Sequence, residues 1–262
     1  PNVEPNRDYR GGTAFRYEVP LFGMVSDRLM EMPDGRLIGT AGSYTGNYLF
    51  DPTTGESAYA GKTQLSHYAT VIHDGKIWMS GYPSARLYVF DPAKPWTAGA
   101  QGAGPGTELA DEESPESNPR LVGRFAESKC HKMYSGAVGA SGDLYFGGRW
   151  MRTGNGGGFG WWNTKANQEG GGIHEVFSNY RITDVCAAGD GKYIVISAKR
   201  EVDKVLRKPT PNEGKLFIFD DAKKEIVRDI IVEEGIIGPG PIAWAGGNLS
   251  LIHISEPTRH RR

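Results

Sequence analysis

Two histidines, two aspartates, a tyrosine and an arginine lie near the starts of short apolar segments that end in glycine turns. Histidine and carboxylate side chains can hold a divalent metal with open positions, or act as general base and acid. With the tyrosine and arginine, they could instead bind a polar ligand. The six candidates are Asp27, His67, His131, Tyr134, Arg181 and Asp184. His67, His131 and Asp184 form the predicted metal set.

A second candidate group combines tryptophan with arginine. Arg149 and Trp150 are followed closely by Arg152, and further aromatic residues come soon after them. Aromatic faces beside basic groups suit sugar rings or acidic saccharides. For both groups the alternative is structural: polar side chains in a water-filled channel need no function, and tryptophans such as Trp161 and Trp162 can pack between sheets.

The elements that position these residues belong to a repeat. The hairpin-turn signals Asp34-Gly35 and Asp74-Gly75 lie 40 residues apart. Each glycine is followed sixteen residues later by an aspartate in a Phe-Asp-Pro sequence, Asp51 or Asp91. Degraded copies of the turn occur at Ser141-Gly142, Asp190-Gly191 and Gly246-Gly247. Short strands with a period of about 40–50 residues indicate a propeller or a similar array.

These segments resemble the blades of β-propellers of the WD-repeat and quinoprotein-like superfamily, over most of residues 24–249. The resemblance implies an all-β fold of four-stranded antiparallel blades, incomplete here, with about four blades and part of another. The first strand of each blade then lines a central channel. Residues eight positions before each turn glycine, and their neighbours, are therefore expected at one mouth of that channel. The WD dipeptide is absent, so the resemblance indicates an architecture and no substrate.

Long segments between the repeated strands are expected on the mouth face, at residues 94–129, 151–159, 165–179 and 199–213. Insertions on one face are typical of the binding face of a repeat protein, although surface loops also accept insertions at little cost. Residues 93–129 are predicted as a long loop inside one domain, residues 1–249, with an interdomain linker as the alternative. Residues 250–259 match a translated sequencing adapter, which predicts a non-native tail over 250–262.

Composition narrows the partner classes. The 262 residues carry 30 basic and 31 acidic side chains, a net charge of −1, which gives no electrostatic footprint for nucleic acid. No apolar run approaches the roughly 20 residues of a membrane span. Neither cysteine, Cys130 or Cys186, lies in a CxxC pair, so both are predicted to be packed thiols, with a disulfide as the alternative. The sequence does not indicate a cellular compartment.

Motifs of the common hydrolases, GxSxG and HExxH, are missing. The sequence therefore predicts a propeller module that recognises a polar small molecule, a saccharide or a protein partner on its insertion-rich face, without a cofactor. The alternative is an enzyme that acts on carbohydrates or related metabolites, a lyase or lactonase-like hydrolase, with a divalent metal at the channel mouth.

Overall fold

The structure, a computed structural model, describes residues 4–6, 14–16, 26–41, 46–61, 63, 66–97, 114–150, 156–201, 213–245 and 247–251. These ranges are built from short strands joined by turns. The strands are β1 (Glu4–Asn6), β2 (Ala14–Arg16), β3 (Ser26–Glu31), β4 (Leu37–Ala41), β5 (Gly46–Phe50), β6 (Ser57–Gly61), β7 (Ser66–His73), β8 (Lys76–Tyr82), β9 (Arg86–Phe90), β10 (Arg120–Arg124), β11 (Lys132–Val138), β12 (Leu144–Arg149), β13 (Gly157–Asn163), β14 (Gln168–Ile173), β15 (Tyr180–Ala188), β16 (Tyr193–Arg200), β17 (Lys215–Asp220), β18 (Glu225–Ile230), β19 (Ile242–Ala245) and β20 (Asn248–Leu251).

Four antiparallel sheets of four strands form the described part of the repeat. Blade 1 contains β3–β6, blade 2 contains β7–β10, blade 3 contains β11–β14 and blade 4 contains β15–β18. Strands β19 and β20 pair after blade 4, and β1 pairs with β2 near the start of the chain. The first strands β3, β7, β11, β15 and β19 contact one another in turn, so they are the inner strands of a radial array. This is the predicted all-β propeller architecture.

The repeated turn residues have the roles that the sequence predicts. The turn glycines Gly35, Gly75, Gly142, Gly191 and Gly247 have φ between 68° and 92°, a conformation that residues with a Cβ rarely adopt. At the end of the third strand, Asp51 and Asp220 each accept hydrogen bonds from two following backbone N–H groups. Asp91 and Asn163 accept one each. These side chains fix the turns that lead to the outer strands.

Apolar side chains from facing blades form the cores. Phe146 and Met133 of blade 3 pack with Leu87 and Trp78 of blade 2, and Phe159 of blade 3 packs with blade 4. Equivalent clusters lie between blades 1 and 2 and between blade 4 and β19–β20. Burial of apolar surface between blades, at roughly 25 cal/mol per Å², therefore holds the inner strands in place around the mouth.

The long loop predicted at 93–129 is wrong in extent, because β10 (Arg120–Arg124) pairs with β9 as the outer strand of blade 2. The connection from 91 to 119 thus joins a third strand to a fourth. In an antiparallel blade the third strand ends, and the fourth begins, at the end opposite to the channel mouth, so this segment leaves and re-enters the blade away from the predicted face. Likewise, the segment 165–179 contains the outer strand β14. Residues 98–113 of the predicted loop lie outside the described residues.

Two other expectations fall at the edges of the described chain. Strand β20 runs to Leu251 and pairs Ser250 with Ala243, so the hairpin extends two residues past the predicted domain end at Leu249. Residues 252–262 of the predicted tail lie outside the described residues.

No helix in the described ranges has the length and apolar character needed to cross a bilayer.

Both cysteines are free thiols, and we expect Cys130 to be unreactive in the folded protein. It is 6% exposed, and burial raises its pKa to about 12 despite hydrogen bonds with Ser128 and Gly158. A pKa three units above the usual value leaves roughly a thousandfold less thiolate to react at pH 8. In Cys186→Ser, Ellman's reagent should detect no thiol before unfolding and one thiol in urea. Rapid labelling of the folded variant would contradict the packing around Cys130.

Candidate functional site

A β-bulge lies near the start of the first strand in each of the four blades. The registers of β3, β7, β11 and β15 with their second strands each skip one residue on the first strand. A bulge bends the strand and re-aims the extra side chain. The bulged residues are Asp27, Tyr68, Tyr134 and Thr183. Two of the eight predicted site residues, Asp27 and Tyr134, therefore occupy backbone bulge positions.

A small pocket opens on the mouth face, where first strands begin and second strands end. Its volume is about 170 Å³. It lies between blades 2 and 3 and combines aromatic rings with basic groups. We call it the mouth pocket; its lining residues are Tyr68, Tyr82, His131, Lys132, Tyr134, Arg149 and Trp150. The structure therefore brings together four of the predicted site residues, His131, Tyr134, Arg149 and Trp150.

The bulged tyrosines hold a lysine in this pocket. The rings of Tyr68 and Tyr134 lie 6.4 Å apart. Lys132 Nζ is 3.9 Å from the centroid of the Tyr68 ring and 5.2 Å from that of Tyr134. An ammonium over the face of an aromatic ring is attracted by the ring quadrupole. The position of the Lys132 charge is thus fixed by two blades at once.

His131 forms part of the wall and joins the two blades. Its Nδ1 accepts a hydrogen bond from Ser84 N at 3.2 Å, and its ring lies edge-on to Tyr82 with centroids 4.9 Å apart. On the far side, the ring centroids of Trp150 and His174 are 5.8 Å apart. The aromatic walls are thus packed against neighbouring residues, as in a preformed site.

A carboxylate from blade 4 approaches the basic groups. Glu201 Oε1 lies 3.5 Å from Arg149 Nε and 3.9 Å from Arg181 Nε, and Glu201 Oε2 accepts a hydrogen bond from Gly156 N at 3.1 Å. The Arg181 guanidinium carbon is 5.9 Å from the centroid of the Tyr134 ring. Arg181, a predicted site residue, therefore stands beside the mouth pocket and connects it to blade 4.

His67 lies in the core and is not among the pocket residues. It is 3% exposed, its Nε2 is 2.9 Å from Thr63 Oγ1, and its ring packs edge-on against Tyr88 at 5.9 Å. Burial lowers the pKa of His67 from 6.5 to about 3. The ring is therefore neutral at physiological pH.

Asp184 joins inner strands of three successive blades. Its Oδ1 accepts a hydrogen bond from Ser135 Oγ of β11 at 2.6 Å, and its Oδ2 accepts one from Ile242 N of β19 at 2.8 Å. The side chain of the remaining predicted residue, Asp27, lies outside the described residues.

The predicted metal set is not assembled, because His67, His131 and Asp184 each contact separate partners. In the described ranges, no group of three or more His, Cys, Asp or Glu side chains could hold a metal ion. Counting back from the turn glycines identifies residues that lie near one mouth, but it says nothing about which side chains converge there. The metal prediction fails at that step.

Sequence reasoning missed Tyr82, Lys132 and Glu201. They lie at the ends of second strands or the starts of first strands, where strand pairing brings distant residues together. Lys132, for example, pairs directly with Arg149, and Ser66 pairs with Tyr82. Adding the residue at the end of each second strand to the candidates would have found Tyr82 and led to Glu201.

Comparisons with solved structures agree on the architecture. The chain is similar to Kuenenia stuttgartiensis hydrazine synthase, with TM-score 0.57 and 14% identity over 89% of this chain and 54% of that one. It is similar to the Cps50 (Swd1) beta-propeller domain of Myceliophteria thermophila, with TM-score 0.53 and 11% identity over 84% of this chain and 63% of that one. A third match is Staphylococcus aureus virginiamycin B lyase, with TM-score 0.53 and 14% identity over 95% of this chain and 69% of that one.

The fold is a β-propeller. At identities of 11–14% these matches establish the fold alone, and the chain spans 54% and 63% of the lengths of the first two. No family model matches the sequence, and no curated protein matches it. The function must therefore be argued from the mouth pocket itself.

Proposed function

We propose that this propeller is a binding module for a small polar ligand, which it takes into the mouth pocket. The observation that carries the proposal is the convergence of Tyr82, Tyr134 and Trp150 with Lys132 and Arg149 around one space. Ligand sites typically combine aromatic walls with a few polar groups that fix orientation. Ring faces bury the apolar face of a sugar-like ring, and the polar tips of tyrosine and tryptophan can hydrogen-bond its substituents.

The size of the pocket favours a small molecule over a protein partner. Its volume of about 170 Å³ is below the roughly 300–1,000 Å³ of sites for drug-sized ligands, so it suits a single ring. A specific protein interface instead needs about 800 Å² of surface on each partner. A protein could still contact the surrounding mouth face, but the aromatic rings that converge on the pocket suit a ligand within it.

The enzymatic alternative has no comparable support in the described residues. One similar structure is a virginiamycin B lyase, but that likeness concerns the fold. The mouth pocket offers cations and aromatic groups, and the histidine that lines it, His131, uses Nδ1 to accept the hydrogen bond from Ser84 N. We therefore propose binding without assigning a reaction.

The proposal is tested by titrating the protein with D-glucose, D-galactose, D-glucuronate and D-galacturonate and following tryptophan fluorescence and Tm. At least one of these sugars should bind, and Trp150→Ala or Tyr134→Ala should weaken that binding about tenfold or more, because each removes a ring face. Lys165→Ala is the matched control, since Lys165 is exposed at the opposite face. No binding by any of the four sugars, or binding that both pocket variants retain, would reject this function.

A further inference from the structure

We infer that the ligand of the mouth pocket is an acidic saccharide, a single sugar ring carrying a carboxylate such as a hexuronate. The inference rests on the proposed function and adds the charge of the ligand to it. Its basis is an arrangement of like charges that the described residues compensate only in part.

Lys132 and Arg149 are direct cross-strand partners in the register of β11 and β12. Partners in such a pair project to the same face of a sheet, and like charges directly opposite each other are destabilising. Both side chains line the mouth pocket. The strands also approach closely here, since a Cβ added to the neighbouring Gly148 would lie 2.0 Å from the Lys132 carbonyl oxygen. The two residues are therefore backbone neighbours that both border the pocket, Lys132 against Tyr68 of blade 2 and Arg149 beside Glu201.

The described carboxylates balance this charge only in part. Glu201 is shared between Arg149 and Arg181 at 3.5 and 3.9 Å, and one of its oxygens is already used by Gly156 N. Lys132 forms no ion pair with the described residues; its ammonium rests on the faces of Tyr68 and Tyr134. Among the described residues, Glu201 is thus the one carboxylate that forms an ion pair within this group of three cations. An anionic group bound between Lys132 and Arg149 would be attracted by both.

The hydrogen-bond donors around the pocket point to the same conclusion. Among the described residues, Trp150 Nε1 is buried without a hydrogen-bond partner, and Arg149 Nε has the ion-pair contact with Glu201 Oε1 at 3.5 Å but no hydrogen bond. Buried donors are usually satisfied in native proteins, and Trp150 borders the pocket, where a ligand could accept from its Nε1. A guanidinium binds a carboxylate through parallel N–H donors. The carboxylate would take the Lys132 and Arg149 side of the pocket, and the sugar ring would take the Tyr82 and Trp150 side.

Isothermal titration calorimetry with D-glucuronate and D-glucose tests the charge directly, because these sugars differ at carbon 6. Glucuronate should bind wild type about tenfold or more tightly than glucose, since an ionised acceptor makes the stronger hydrogen bonds. Raising NaCl from about 20 to about 500 mM should weaken glucuronate binding severalfold and leave glucose binding unchanged. This salt test needs no variant.

Substitutions then locate the effect. Lys132→Met and Arg149→Met should each reduce the preference for glucuronate to about threefold or less, whereas Lys132→Arg should keep most of it, because it retains the charge. Lys165→Met, at the opposite face, is the control for losing one surface cation. Far-UV circular dichroism and Tm check that each variant is folded.

The possible failures are distinguishable. If glucose binds wild type as tightly as glucuronate, and Trp150→Ala weakens both, the proposed function stands and the acidic ligand is rejected. If glucuronate is preferred but Lys132→Met, Arg149→Met and high salt all leave the preference intact, the role of the cation pair is rejected. If neither of these sugars binds, and D-galactose and D-galacturonate do not bind either, both proposals fail.

Discussion

Replacement of Asp221 with alanine is expected to lower the free energy of unfolding by about 3–5 kcal/mol, because it removes one partner of a buried charge cluster. Asp221 lies in the turn between β17 and β18 and is 3% exposed. It contacts the hairpin turn between β11 and β12, so its loss separates blade 4 from blade 3 at the end opposite to the mouth.

The contacts explain the size of the effect. Asp221 Oδ1 accepts hydrogen bonds from Ser141 Oγ at 2.8 Å, from Lys224 Nζ at 2.9 Å and from the Tyr145 hydroxyl. Asp221 Oδ2 accepts one from Ser141 N at 2.7 Å. Burial alone raises the pKa of Asp221, but the hydrogen bonds from Tyr145, Lys224 and Ser141 outweigh it and hold that pKa below its ordinary value.

Asp221 is therefore ionised at neutral pH, and its stabilisation is lost only as the pH falls through that lowered pKa. In Asp221→Ala, the buried Tyr145 hydroxyl loses its acceptor, and Lys224 keeps Asp143 as its carboxylate partner, 2.6 Å from Nζ. A buried polar group that loses its partner bears its full desolvation penalty.

Urea unfolding at pH 7 measures this effect, and Asp229→Ala is the matched control. Asp229 pairs with Lys215 in the same blade, where the Asp229 side chain is 49% exposed and that of Lys215 27%. An exposed ion pair contributes at most about 1 kcal/mol, so the control should shift the unfolding midpoint little. Equal losses in the two variants would show that the cluster between blades 3 and 4 contributes no more than a surface pair.

The inner three strands of each blade can be predicted from the sequence because characteristic turn residues occur at both ends of this three-strand segment. Glycine at positive φ marks the first turn, and an aspartate or asparagine that caps backbone N–H groups marks the end of the third strand. The strands between these marks are buried; β8 and β12, for example, contain long runs of buried residues. Burial demands apolar side chains, and an apolar pattern is visible without coordinates.

The outer strands are much harder to predict. Strand β18 exposes most of its residues, and β10 has no fully buried residue. Since an exposed edge strand needs few apolar side chains, β10 is hidden at the end of a segment rich in glycine and proline. The sequence therefore does not predict β10, and it assigns to the mouth face a segment that begins and ends at the opposite end of blade 2.

The errors at the site have a related origin. The rule of eight residues before each turn glycine reaches the bulged residues Asp27, Tyr134 and Thr183, but in blade 2 it reaches His67 and misses the bulged Tyr68. The turn of blade 2 joins His73 to Lys76 with two residues, whereas that of blade 3 joins Val138 to Leu144 with five. A shift of one residue along a strand exchanges its two faces.

Because His67 lies in the core and not at the mouth, its buried ring should make the stability of the protein sensitive to acid. Its pKa is lowered by burial from 6.5 to about 3, so the unfolded chain takes up a proton at a pH where the folded chain does not. The stability due to neutral His67 is complete above the unfolded value and is lost as the pH falls from 6.5 toward 3. A pKa unit corresponds to about 1.4 kcal/mol.

Between pH 6.5 and 4.5, this single residue should therefore remove about 2 kcal/mol from the free energy of unfolding. His67→Gln keeps a polar side chain but cannot titrate, so its stability should fall by about 2 kcal/mol less than that of wild type over this range. Urea unfolding at half-unit pH steps measures the difference. Above pH 7.5 the two profiles should run parallel, which separates titration from the cost of the substitution. Parallel profiles down to pH 4.5 would mean that the His67 ring is protonated in the folded protein, against its place between Thr63 and Tyr88.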